Sequence, residues 1–334
     1  MHTFNKKRSY LRALFFALLT ISLSLGSVGC SDDNNGGNNS NPDANTVSGT
    51  LTFTYAGAPI TDAAKWPHSS STADAFGGYF RLGLMPSLAT GQATAGPRYM
   101  IGGTGMGTGM EFTALTSSTY QYKFTAVQND IYIIVPTYEN IKATGMAKTV
   151  SVGRWGAISF AYGAPITVNS DAHANTNIYC DMAVGKYAYD AIDSAAHSKG
   201  MIYGGIKVND AAKWPTGTSA SGNYLALMGY KNRTSKADVV ANPAMPDLYA
   251  VIPVPTVAGS DFVAFKYASS FGNPNGINFS GGDQTYGVIL IDVLNSASAG
   301  LFVSPSAAAL AEKTNVTFNA TTPSLYWNAD VTLP

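Results

Sequence analysis

Polar and apolar residues alternate with a period of two along much of the chain. In Tyr120-Gln121-Tyr122-Lys123-Phe124 the aromatic rings fall on one face and the polar side chains on the other, the pattern of a half-buried strand. Ile131-Tyr132-Ile133-Ile134-Val135 is apolar throughout, as in a strand covered on both faces, and Tyr286-Gly287-Val288-Ile289-Leu290-Ile291 has the same character. Tyr224 to Tyr230 and Phe262 to Tyr267 read as further strands, and clusters of Gly, Pro and Asn punctuate them. One helix is predicted, from Ser306 to Lys313, behind Ser304-Pro305. Short strands, loop-rich spacing and few helices predict an all-β fold of antiparallel β-sandwiches.

The pattern occurs twice. Asp62-Ala63-Ala64-Lys65-Trp66-Pro67 returns as Asp210-Ala211-Ala212-Lys213-Trp214-Pro215, 148 residues later. At the same offset Phe53 matches Met201, Tyr55 matches Tyr203, Gly57 matches Gly205 and Ile60 matches Val208. Gly77-Gly78-Tyr79 matches Gly222-Asn223-Tyr224 at 145, and Phe124 and Tyr132 match Phe279 and Tyr286 at 155 and 154. Ile178-Tyr179-Cys180-Asp181 matches Leu325-Tyr326-Trp327-Asn328 at 147. Offsets that drift and return describe one fold with loops of different length. The expected organisation is two tandem sandwich domains, 47–184 and 199–334, with 185–198 as a connector that has room for a helical turn.

The first 46 residues have a different character. Lys6, Lys7, Arg8 and Arg12 precede the apolar run 13–26, fourteen residues long. A bilayer-spanning helix needs roughly 18 or more, so the run reads as the core of a signal peptide, residues 1–29. Ser27-Val28-Gly29-Cys30 then resembles the bacterial lipobox, with Ser27 where that pattern prefers Leu. The resemblance implies cleavage before Cys30, a diacylglycerol on its thiol and the lipid bilayer as a partner. Residues 30–46, rich in Asn, Asp, Ser and Gly, have no apolar pattern and suit a flexible tether. Ser31-Asp32-Asp33 resembles the surface-export signal of Bacteroidetes lipoproteins, which implies an outer-membrane or cell-surface location.

Composition narrows the function. Hydrophobic residues make up 46% and charged residues 12%, which excludes a disordered chain. The 20 basic residues balance the 20 acidic ones, and four of the basic ones leave with the leader. A near-neutral body excludes a nucleic-acid partner bound by phosphate neutralisation. Cys30 and Cys180 are the two cysteines, so acylation of one rules out an intramolecular disulfide. Alternation places Cys180 on one face with Ile178 and Met182, as a small buried hydrophobe.

Motifs for chemistry are sparse. His68, His173 and His197 sit in polar, loop-like surroundings without a second histidine at metal-ligand spacing, and read as solvated. The glycine-rich stretch Gly102–Gly109 has no Lys-Ser/Thr and reads as a loop; Met100, Met106 and Met110 around it offer thioethers, with no expectation of copper. Trp66 and Trp214 follow helix-capping residues and precede prolines, so each is expected to plug a core rather than to form a binding platform. Lys231, Arg233 and Lys236 make a small basic loop. No cofactor, metal site or catalytic residue is expected.

The sub-pattern Tyr122, Phe124, Tyr132, Ile134 resembles the hairpin of transthyretin-like and carboxypeptidase-regulatory-like sandwiches, which implies a fold and a surface-lipoprotein setting. The expected function is a non-enzymatic, membrane-anchored surface lipoprotein for binding or adhesion, or with an envelope-structural role, toward a glycan or protein ligand. Two alternatives stand beside it. One is a glycan-binding surface lipoprotein. The other is a pilus subunit: lipobox, length and two domains resemble the fimbrillins of Bacteroidetes, although no processing arginine precedes Arg81 in the body.

Overall fold

A computed structural model describes residues 44–62, 65, 67, 73–87, 97–101, 110–114, 118–143, 149–156, 164–196, 199–215, 224–242, 245–267, 277–292 and 309–333. The leader, Cys30, Trp66, His68, His197 and Met106, for which the sequence carries expectations, lie outside them.

The first copy runs through β1 (Thr46–Tyr55), β2 (Ala58–Pro59), β3 (Gly78–Pro86), β4 (Tyr99–Ile101), β5 (Met110–Ala114) and β6 (Thr119–Phe124). It continues through β7 (Asp130–Asn140), β8 (Thr149–Ser151), β9 (Pro165–Val168), β10 (Ala172–His173) and β11 (Ile178–Asp181). Helix α1 (Ala183–Ala196) leads to the second copy. There follow β12 (Lys199–Val208), β13 (Tyr224–Lys231), α2 (Lys236–Ala241), β14 (Leu248–Pro253) and β15 (Phe262–Lys266). The last strands are β16 (Ile277–Asn278), β17 (Gln284–Asp292), β18 (Ala309–Phe318) and β19 (Ser324–Val331). Pro42–Pro334 cluster as one compact unit.

The chain is mostly β, in several sheets whose pairs are antiparallel apart from β1 with β10 and one parallel pairing that both copies have. In each copy the first strand pairs in parallel with the last, β1 with β11 and β12 with β19. The wholly antiparallel expectation is corrected there. The second sheet of the first copy runs β4-β3-β7-β8, with β9 also on β7, and that of the second runs β14-β13-β17-β18.

The duplication extends to strand register. Tyr132 stands opposite Pro86 and Ile166, and Tyr286 stands opposite Lys231 and Val316. Ser48 faces Lys123 as Lys199 faces Asn278. One alignment needs correction. Phe53 lies opposite Cys180 while Gly204 lies opposite Trp327, so Phe53 occupies the place of Gly204 and not of Met201. Three additional residues in the first copy form a turn at Tyr55–Ala58, where Ala56 (φ 50°) and Gly57 (φ 78°) both adopt the left-handed conformation. That turn folds β2 back on β1, whereas β12 runs straight on and pairs with β15.

Burial follows the sequence pattern closely. Tyr120, Tyr122 and Phe124 are buried while Gln121 is exposed, and Tyr132 to Pro136 are buried without interruption. One core gathers Leu51, Phe53, Phe80, Tyr122, Tyr132 and Tyr138, and also takes Met201, Tyr203, Phe262 and Ala264 from the second copy. The other is built from residues such as Ile206, Trp214, Leu227, Phe265, Phe318 and Trp327.

Two elements differ from expectation. The predicted helix Ser306–Lys313 is overturned: Ala309 onward forms β18, which pairs with β17 from Phe318 opposite Gln284 to Ala309 opposite Ile291. Pairing along β17 outweighs the helix preference of Ala, Leu, Glu and Lys. Conversely, the connector is a fourteen-residue helix and not a single turn. It buries Ala183, Val184, Ala188 and Ala191, and Gly185 lets the Tyr138 ring approach to where a Cβ would stand 2.6 Å away.

Candidate functional site

The turn peculiar to the first copy opens a cleft. Tyr55 ends β1, and Ala58 and Pro59 pair back onto it, leaving a space of about 470 Å³. Tyr55, Ala58–Asp62, Lys65, Ala75, Phe76 and Lys186 line it, Lys186 projecting from α1. The size is that of a small-ligand pocket.

Its aromatic wall is fixed from behind. Tyr55 stacks on Phe76 with centroids 5.8 Å apart and planes inclined by 18°. Phe76 in turn meets Tyr138 edge to face at 6.5 Å. Asp74, buried, accepts the Phe76 amide at 2.8 Å and the Tyr138 hydroxyl, so the turn bearing Phe76 is anchored to β7. Gly77 (φ 90°) permits the Tyr189 ring of α1 to lie against this turn. Phe76 is almost wholly buried, whereas Tyr55 is 38% exposed. Partial burial, then the carboxylates of Asp190 and Asp181, push the Tyr55 phenol pKa up, so the hydroxyl stays protonated at neutral pH.

The charged groups of the cleft stand in pairs. Lys65 lies 3.8 Å from Asp62, both well exposed, and Lys186 bonds Asp190 one helical turn on. An exposed pair such as Lys65–Asp62 contributes little to stability and remains available to solvent.

A second polar constellation lies buried between the copies. Asp181 is fully buried at the end of β11 and accepts four backbone amides: Ala56 at 2.8 Å, Gly57 at 2.9 Å, Ala183 at 3.1 Å and Ala264 at 2.9 Å. One carboxylate thereby holds the turn beside the cleft, the first turn of α1 and a strand of the second copy. Burial pushes its pKa up, against the four amides, which favour the charged form. Nearby, Arg154 pairs with Asp330 at 2.6 Å, and Lys207 donates to the Arg154 carbonyl at 3.1 Å and to Asp261. Burial lowers the Lys207 pKa and raises that of Asp261. The Tyr326 hydroxyl donates to the Ser151 carbonyl and accepts the Ser151 amide, both at 2.9 Å.

The singled-out residues fall as follows. Trp214 is buried and its indole N–H donates to the Ser260 carbonyl at 2.7 Å, beneath the loop whose Thr256 amide bonds the Gly57 carbonyl. The turn before it is capped by Asp210, which accepts the Ala212 amide at 2.9 Å. In the first copy the Lys65 amide likewise donates to the Asp62 carbonyl, and both residues line the cleft. Cys180 is fully buried and burial raises its thiol pKa well above the ordinary value. His173 lies on β10 and contacts Asp171 at 3.1 Å. Met100 is on β4 and Met110 on β5, which belong to different sheets. Sequence reasoning passed over Tyr55, Phe76 and Asp181; a three-residue excess in one copy was the available signal for the first two.

Among the described residues, no helix is long and apolar enough to cross a membrane. No known family model matches the chain, and no curated protein resembles it significantly.

Proposed function

We propose that the chain is a non-enzymatic surface lipoprotein, held to the membrane through acylated Cys30, that binds or adheres through a body of two tandem sandwiches of transthyretin/Ig-like type, 47–184 and 199–334. The observation that supports this most is the repeated strand register, with Tyr132 and Tyr286 at equivalent places in their sheets. Duplicating a scaffold, rather than elaborating one active centre, suits a protein whose task is to extend and present a surface. The buried charged groups Asp181 and Lys207 bond across the copies, to the Ala264 amide and the Arg154 carbonyl, and Asp261 pairs with Lys207. Such groups serve cohesion here rather than proton transfer. The pilus alternative relies on strands donated between subunits, and β19 pairs along its whole length with β12 of its own copy.

The test is surface exposure. Protease added to intact cells should remove the body of the wild-type protein, and Cys30→Ser should shed it from the envelope fraction. A wild type protected in intact cells and digested only after lysis contradicts the surface assignment.

A further inference from the structure

The cleft of the first copy points to a ligand class, an inference that rests on the surface-binding reading above. We propose that it binds an uncharged sugar ring, with Tyr55 as the stacking platform and Asp62, Lys65 and Lys186 as hydroxyl partners.

The aromatic wall carries the first part. A pyranose has an apolar face of C–H groups, and a partly exposed ring held rigid is the surface that face selects. Tyr55 meets both conditions: it is 38% exposed, and it stacks on Phe76, which Asp74 and Tyr138 hold in place. Little ordering cost remains for the ligand to meet.

The charges carry the second. Lys65 pairs with Asp62, and Lys186 with Asp190, which also meets Lys266 at 3.6 Å, so each ammonium group lining the cleft already has a carboxylate partner. A phosphate or carboxylate ligand would have to compete with a resident carboxylate for each ammonium group. Hydroxyls need no such exchange, since each accepts from an ammonium and donates to a carboxylate at once. An uncharged polyol with one apolar face fits both parts of the lining.

The third argument is position. The cleft exists because of the three additional residues at Tyr55–Ala58, and β12 has no counterpart to this turn. Asp181 grips both Ala56 and Gly57, so the turn is held in shape by the junction between the copies.

The experiment titrates the full chain in detergent with maltose, cellobiose, lactose and mannobiose, and in parallel with glucuronic acid and sialyllactose, by calorimetry. At least one neutral disaccharide should bind. Tyr55→Phe should retain that binding, and Tyr55→Ala should weaken it by about tenfold or more. Lys65→Ala, at an exposed position outside the core, should also weaken it and serves if Tyr55→Ala melts early. Absence of binding across the neutral panel, equal binding by Tyr55→Ala and Lys65→Ala, or preference for the acidic sugars overturns the proposal. None of these results touches the surface location, which protease exposure reads independently.

Discussion

The Asp181 carboxylate accepts the Ala264 amide at 2.9 Å, joining the last strand of the first copy to β15 of the second. The same side chain takes the amides of Ala56, Gly57 and Ala183. Removing it leaves four buried N–H groups without their acceptor, each costing about 1–3 kcal/mol if water does not enter. Asp181→Ala in the full chain is therefore expected to lower stability by more than about 3 kcal/mol. Asp181→Asn should cost less, since its amide oxygen still accepts. Ile141→Ala, at a site 48% exposed, should do almost nothing. Chemical denaturation compares the three.

Trp214 combines a buried ring with a hydrogen bond to the Ser260 carbonyl. Trp214→Ala is expected to cost about 3–5 kcal/mol by emptying the site. Trp214→Phe should recover part of this, but not the bond. The loop it supports bears Thr256, whose amide donates to the Gly57 carbonyl of the first copy, so amide exchange at Thr256 should quicken in Trp214→Ala. An unchanged melting curve for Trp214→Ala would show that the indole is not a core plug.

The two halves should fold separately but unequally. The fragment 47–198 lacks Met201, Tyr203, Phe262 and Ala264, which belong to its core in the whole chain. Both 47–198 and 185–334 are expected to give β-type circular dichroism and a cooperative transition, with 47–198 melting below the intact protein. Identical melting of 47–198 and the intact chain would mean that the junction adds no stability.

Much of this architecture was legible in the sequence. Alternation in Tyr120–Phe124 and the unbroken run at Ile131–Val135 located strands correctly, because burial on one or two faces writes directly into residue choice. The offsets 145, 154, 155 and 147 matched strand register, because loops absorb length changes while ladders do not. What escaped was decided by tertiary context. Ala309–Lys313 has helix-forming residues but completes a sheet. Helix α1 is built of small residues and Tyr and includes a glycine, so its local signal is weak; its buried face became meaningful only with β7 and β12 beside it. The cleft was hidden because an alignment forced to one offset spread its three additional residues over a strand. Asp181 was read as one of a strand's alternating residues, and its four partners come from three separate parts of the chain.

Alkaline titration should expose the cores. Burial raises the phenols of Tyr203, Tyr230 and Tyr286 from 10.0 to about 12. The folded state therefore keeps protons that the unfolded chain would release. Their stabilising contribution is complete below pH 10 and disappears as the pH rises toward about 12. Stability should fall steeply across that window, with a tyrosinate absorbance step coinciding with loss of ellipticity. Smooth titration of all tyrosines near pH 10 with the fold intact would contradict their burial.

The central claim, a body tethered to a membrane by one acylated cysteine, is tested most directly by metabolic labelling with radioactive palmitate. Wild-type protein and Cys180→Ser should incorporate the label, since Cys180 is sealed in the core and its thiol is held protonated. Cys30→Ser should incorporate none. Equal labelling of the wild type and Cys30→Ser, or no labelling of the wild type, would contradict the account.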